Sequence, residues 1–344
     1  MRAFQPRDGI SVQDHIDRSC RPQSTARHEP IKGRETMPQR LLAGRIKWGT
    51  AATLTAHHII ALLGVLFLFS WAGLTLAILG IYVFGILGLN VGFHRLLAHR
   101  SFTCSKTLEH ILVVLGVCCL QGTPAQWVAV HRLHHAHSDD QLDPHSPRAS
   151  IFWSHSGWLL IKNEDLSRRS LHERYAKDIL RDPLYARLEP GPWSGFVLLM
   201  SWLIFFLGGF IVDLLTGGSI AEAWRYGASI FAFGVFVRIV MVWHITWSVN
   251  SVTHLWGYRN YSTDDASRNN FLIGILAGGE GWHNNHHADP RSAKHGHRWW
   301  ELDVTYLTIR LLAQFGLVGN VVVPRRDRLA HMTIPVEAAA GGGH

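Results

Sequence analysis

Charge is what this chain lacks over its longest stretch: between Lys47 and Arg95 there is no Asp, Glu, Lys or Arg. Such a stretch excludes a water-facing surface there and, at about 20 residues per crossing, holds two bilayer spans. Cysteine is scarce as well. Cys20, Cys104, Cys118 and Cys119 show no zinc or iron–sulfur spacing. No Gly-x-Gly-x-x-Gly follows a strand pattern, so the chain carries no nicotinamide or flavin module of its own. Any electrons it uses come from another protein. The first 40 residues have no continuous apolar core, which argues against a cleaved secretory signal, and the sequence shows no internal repeat.

What is present divides the chain simply. Residues 1–40 are polar and rich in Arg, Pro and Ser, and are expected to be disordered; 41–324 form the main domain; 325–344 are expected to be a loose tail. Ser70-Trp71-Ala72-Gly73 is the natural turn in the first uncharged stretch, which predicts helices near 50–69 and 74–93. Two further spans are expected near 191–212 and 226–249. Segment 111–130 is also uncharged, but Gly116, Gln121, Gly122 and Pro124 interrupt it, and it reads as a buried or membrane-dipping helix. Ten Lys and Arg lie in residues 1–50 and twelve in 94–193, against none in the turns 70–73 and 213–224. This asymmetry places the termini on the cytoplasmic side. A formal net charge of +8 fits contact with anionic lipid headgroups. It does not fit nucleic-acid binding, because the basic residues flank spans instead of forming one stripe.

Histidine is where the chemistry lies. His94 and His99 form one cluster, His131, His134 and His135 a second, and His283, His286 and His287 a third, with Asn250 and His254 between the last two. Four crossings put all of them on one face. Residues three and four apart share a helix face, so each triad can present its imidazoles together. His94 and His99 are five apart, about 140° around an ideal helix, poorly placed to chelate one ion but able to serve two. One first-row metal seldom takes more than about six ligands, so nine imidazoles imply two ions. Hydrolytic zinc needs far fewer. Neutral imidazoles beside apolar spans suit iron that activates dioxygen against a lipid C–H bond.

On these residues the chain resembles the membrane-bound fatty-acyl desaturases, the family of stearoyl-CoA desaturase, and most of all the cyanobacterial and plant Δ9-type members. The likeness runs from about Gly88 to Trp300 and includes Gln121 to Trp127, Asp143-Pro144-His145-Ser146-Pro147, Thr246-Trp247-Ser248-Val249-Asn250 and Gly279-Glu280-Gly281-Trp282. It implies an all-α integral membrane protein with four transmembrane helices capped by a cytosolic histidine-rich helical domain. It implies two iron ions (Fe2+) held by His94, His99, His131, His134, His135, His254, His283, His286 and His287. Asn250 matches the asparagine that holds a metal-bound water. Gln121, Trp127 and Trp247 match residues lining the bend of the acyl tunnel, and Asp143 and His145 match partners that orient ligating imidazoles. The implied reaction removes two hydrogens from neighbouring methylenes to leave a cis double bond, while O2 is reduced to water. The acyl chain would be carried on CoA or in a lipid, and the external donor would be a ferredoxin or a cytochrome b5/reductase-type system.

Two rivals share parts of this pattern. A di-iron membrane hydroxylase would use a similar histidine set, but the Trp127 and Asn250-to-His254 matches favour a desaturase. A metal-binding or transporting membrane protein would string ligands through its spans. Here only Arg238 is charged within one, about 24 Å along a helix from His254, where an interhelical polar partner suits it better than catalysis. His57 and His58 read as a polar helix start.

Overall fold

The computed structural model describes residues 44–140, 143–163, 168–189 and 191–334. Residues 1–40, expected to be disordered, lie outside them. The described part is mostly helical, with four helices long and apolar enough to cross a membrane. They are α1 (Trp48–Phe67), α2 (Trp71–Ala98), and, after α3 (Lys106–Val117) and α4 (Pro124–His137), α5 (Pro192–Leu215) and α6 (Ile220–Val252). The short helices α7 (Phe271–Leu276) and α8 (His283–Ala288) precede α9 (Val304–Gln314). Among the described residues the sheet is a short antiparallel pair, Thr103–Cys104 with Val318–Gly319.

Local chemistry sets the boundaries. Ser70 caps α2 by accepting the Gly73 N–H at 3.0 Å, and its hydroxyl meets that of Ser229 at 2.7 Å, tying the first hairpin to α6. Ser219 and Glu222 form a reciprocal capping box at the start of α6. The outer faces of α1 and α5 carry exposed Leu, Ile and Phe, such as Leu62, Phe67, Phe196 and Ile204, an outward apolar surface that suits lipid contact. Inside the bundle, helices meet at small residues. A Cβ on Gly88 of α2 would come within 2.4 Å of the Gly116 backbone of α3, and one on Gly209 of α5 within 2.8 Å of Ile230 of α6. Such close approach is how helices gain packing where lipid removes the hydrophobic drive between them.

The uncharged segment 111–130 is two helices, not one span. α3 ends in a bend at 118–123, with Leu120 and Gly122 at φ 56° and 102°, and α4 begins behind Thr123, which accepts the Gln126 N–H. Buried Leu89, Phe93, Val113, Val117, Val128 and Ala129 join α2, α3 and α4 into one core. Residues 326–334, expected to belong to a loose tail, are held in place. A helical turn at Arg326–Leu329 is followed by a bridge from Thr333 to Tyr261 and by Ile334 N–H donating to Asn260 O at 2.9 Å. Residues 335–344 lie outside the described part.

Candidate metal centre

The histidines converge in two adjoining groups. Ring nitrogens of His94, His99, His131, His135 and His286 lie within 4.8 Å of one another, and so do those of His134, His254, His283 and His287. Nε2 atoms face each other at 3.2 Å (His94, His286), 2.7 Å (His99, His131) and 2.9 Å (His286, His135) in the first group. In the second the separations are 3.4 Å (His134, His287) and 3.1 Å (His254, His283). Both triads are split between the groups, contrary to the expectation that each would point one way. His131 and His135, one turn apart on α4, enter the first group while His134 turns to the second. His286 enters the first while His283 and His287 enter the second.

The pair expected to be badly placed for one ion is not. From Ile81 to Ala98, α2 is wound as a π-helix, and its last turn closes with His99 N–H donating to His94 O at 3.1 Å. An i→i−5 bond stacks residues five apart, which puts His94 and His99 into the same group. π-winding is rare and concentrates at functional sites.

Carboxylates hold the outer nitrogens of these rings. His134 Nδ1 donates to Asp143 Oδ2 at 3.0 Å, His254 Nδ1 to Asp139 Oδ2 at 3.1 Å and His287 Nδ1 to Asp265 Oδ2 at 2.5 Å. Glu280 Oε2 lies 2.8 Å from His94 Nδ1. Glu280 is anchored by the fully buried Arg95, which also reaches Asp303. Asp143 stands where the sequence placed it. Among the described residues His145 makes no hydrogen bond to another imidazole: its ring lies tilted against His134 with centroids 4.5 Å apart, and it contacts Asp143 Oδ1 at 3.5 Å. Asp139, Asp265 and Glu280 were not foreseen. Glu280 sits inside a recognised motif, but no spacing pointed to the other two.

The donor set fits metal cations. Burial, and then the neighbouring imidazoles, pushes His99, His131, His135, His283 and His286 well below the usual histidine range, so they are neutral. Burial opposes charge on Asp143, but His134 and His145 outweigh it and hold the carboxyl well below its ordinary range. Burial likewise opposes charge on Asp265, and His287 outweighs it. A neutral imidazole has one N–H. With Nδ1–H of His134 and His287 turned to carboxylates, the Nε2 atoms of both rings point inward, 3.4 Å apart, within reach of one cation.

A cavity of about 420 Å³ opens beside these groups. Gln121, Trp127 and Trp247, each expected to line a tunnel, all line it, together with Asn250, His131 and His145. Gln121 Nε2 donates to Thr246 Oγ1 at 3.0 Å, closing one wall. Trp127 stacks on His131 with centroids 5.0 Å apart, so the apolar wall runs straight into the imidazoles. Outside the cavity, His57 is buried against Trp202, Phe236 and Trp243, and His58 Nε2 meets His244 Nε2 at 3.0 Å. Both belong to helix packing, more than a polar helix start.

Residues 69–315 match the fatty acid desaturase family. The chain belongs to the fatty acid desaturase family. It is 39% identical over 289 residues, 83% of this chain and 93% of the relative, to the sn-2 palmitoyl-lipid 9-desaturase of Nostoc sp.. It is 42% identical over 254 residues, 74% of this chain and 85% of the relative, to the sn-1 stearoyl-lipid 9-desaturase of Anabaena variabilis. The icosanoyl-CoA 5-desaturase of Limnanthes douglasii is 35% identical over 287 residues, 81% of this chain and 75% of that one. This desaturase is therefore an enzyme acting on fatty acyl chains, with similarity to the Δ9-type members. Its histidines form groups able to hold metal.

Proposed function

We propose that the enzyme introduces a cis double bond at the Δ9 position of a saturated acyl chain esterified in a membrane lipid, at a di-iron centre. The observation that carries this reading is the cavity lined by Trp127, Trp247, His131 and Asn250, beside two groups of five and four imidazoles. His94, His99, His131, His135 and His286 would hold one iron; His134, His254, His283 and His287 the other, with Asn250 reaching it through a water. When bound, the irons supply O2 activation and oxidising power toward C–H bonds. The protein supplies position. Trp127, Trp247 and the Gln121–Thr246 pair hold one methylene near the imidazoles, and the site of oxidation follows from cavity depth. Asp143 would orient His134, with His145 packed behind it.

The lipid-linked substrate is supported by the cyanobacterial relatives, which are named lipid desaturases, although acyl-CoA enzymes are also similar. Electrons would come from a ferredoxin or a cytochrome b5-type system. The ends of α2 and α6 meet at the histidines, and Lys47 at the start of α1 pairs with Leu160 on that side, at 2.8 Å. Charge asymmetry makes this the cytoplasmic side, where the histidine-bearing segments would form a cap and both termini would lie.

The test is the fatty-acid profile of a desaturase-deficient host expressing the chain with a compatible donor, with His286→Ala as control. Dimethyl disulfide adducts locate the bond, and separation of lipids from acyl-CoA before analysis locates the carrier. A new Δ9 monoene in lipid, absent from His286→Ala, is expected. Enrichment in acyl-CoA before lipid would overturn the carrier, and a hydroxylated product would overturn the reaction.

A further inference from the structure

Arg238 is fully buried within α6, 14 residues before the helix ends at Val252, or about 21 Å along it. A charge at that depth is costly and is a functional candidate by default. Among the described residues no carboxylate pairs with it. Its Nε donates to Gly234 O at 2.7 Å, its Nη2 to Cys118 O at 3.2 Å, and the guanidinium lies 4.0 Å over the Phe84 ring. Nη1 has no hydrogen-bond partner among the described residues. Gly80 makes room for it: a Cβ there would come within 2.5 Å of Arg238 Cδ.

The Cys118 contact has a clear physical reason. A helix leaves its last carbonyls unpaired, and at membrane depth there is no water to satisfy them. α3 ends at this depth. α6 supplies both donors, Arg238 to Cys118 O and Trp243 Nε1–H to Cys119 O at 2.9 Å. The next three residues, Leu120, Gln121 and Gly122, form one wall of the acyl cavity, and two of them have positive φ. Arg238 itself does not line the cavity.

We infer that Arg238 is a positioning residue for regiochemistry: by pinning the end of α3 it fixes the cavity wall at 120–122 and so selects which methylene faces the imidazoles. This rests on the desaturase reading above. Without the guanidinium donor the wall moves along the chain axis, and neighbouring carbons share the site.

Arg238→Gln and Arg238→Lys test it, beside Ile230→Ala, a core change in α6 outside the 118–122 bend. Products are read as positional isomers by dimethyl disulfide adducts, normalised to enzyme amount. In both Arg238 variants the ratio of the main isomer to its neighbours should fall, by about tenfold for Gln, the worth of one charge-assisted hydrogen bond. Ile230→Ala should keep the wild-type ratio whatever its yield. Unchanged isomers in active Arg238→Gln or Arg238→Lys, or the same scrambling in Ile230→Ala, would overturn the proposal. No monoene from the wild type would instead sink the desaturase reading. If Arg238→Gln does not accumulate, the Lys variant, which keeps the charge, decides alone.

Discussion

Asp143 shows how much a single carboxylate outside the ligand set decides. It accepts from His134 Nδ1, from the Asp139 backbone N–H at 2.9 Å and from the His145 N–H at 3.1 Å, so its removal frees one ring and a loop together. Asp143→Asn should lower metal affinity 10- to 100-fold, with metal per chain falling in the purified protein while its size-exclusion profile is kept. Full metal content would exclude an orienting role. Glu280→Gln strikes a denser knot, because Arg95 donates to it through Nε and Nη2 and is wholly enclosed. Leaving that guanidinium with Asp303 as its remaining carboxylate should cost about 3 kcal/mol, seen as a lower melting temperature in detergent at neutral pH. The motif around Glu280 was visible in the chain. Its partners were not, because Arg95 and Asp303 are brought to it from α2 and from the residue that caps α9.

For the helices, the crossing of α2 and α3 sets where the first histidines stand. Gly88→Ala drives a methyl into the Gly116 backbone and must part the two helices, at about 1–3 kcal/mol. Gly208→Ala, whose Cβ meets nothing within 4 Å, should be neutral or slightly stabilising. Thermal melts of the two variants side by side check this, and equal melting would contradict the close crossing. The four apolar spans were legible from uncharged length, and the observed helices differ from 50–69, 74–93, 191–212 and 226–249 mostly at their ends. The π-winding of α2 was not legible. Spacing supplies an angle only after a helix type is assumed, and here the assumption of 3.6 residues per turn sent His94 and His99 apart.

At the scale of the whole molecule, burial of so many imidazoles links stability to acid. Burial first, with His134 adding to it against Asp143, lowers His145 from 6.5 to about 3; burial first, with Arg95 adding to it against Glu280, lowers His295 from 6.5 to about 4. Below pH 6.5 the unfolded chain takes up protons that the folded chain refuses until about pH 4 and then pH 3. Stability is therefore full above pH 6.5 and falls as pH drops through that window. Melting of chelator-treated protein from pH 7.5 to 4.5 should show a steady decline. A flat profile would mean these rings are not buried neutral. Orientation has its own check. An epitope inserted between Gly217 and Gly218, in the turn joining α5 and α6, should be reached from outside intact cells, and one at the C-terminus only after permeabilisation.

The sequence by itself determined four helices apolar enough to cross a membrane among the described residues, and the nine histidines that meet, because each rests on local chemistry: an uncharged length that cannot face water, and a residue type repeated at chelating intervals. Tertiary structure alone decided which imidazole joins which group, which carboxylate holds it, and that Arg238 closes the end of α3 behind the cavity wall. Those are meetings between residues far apart in the chain, and only the packing of the helices, at glycines that let their backbones touch, brings them within reach.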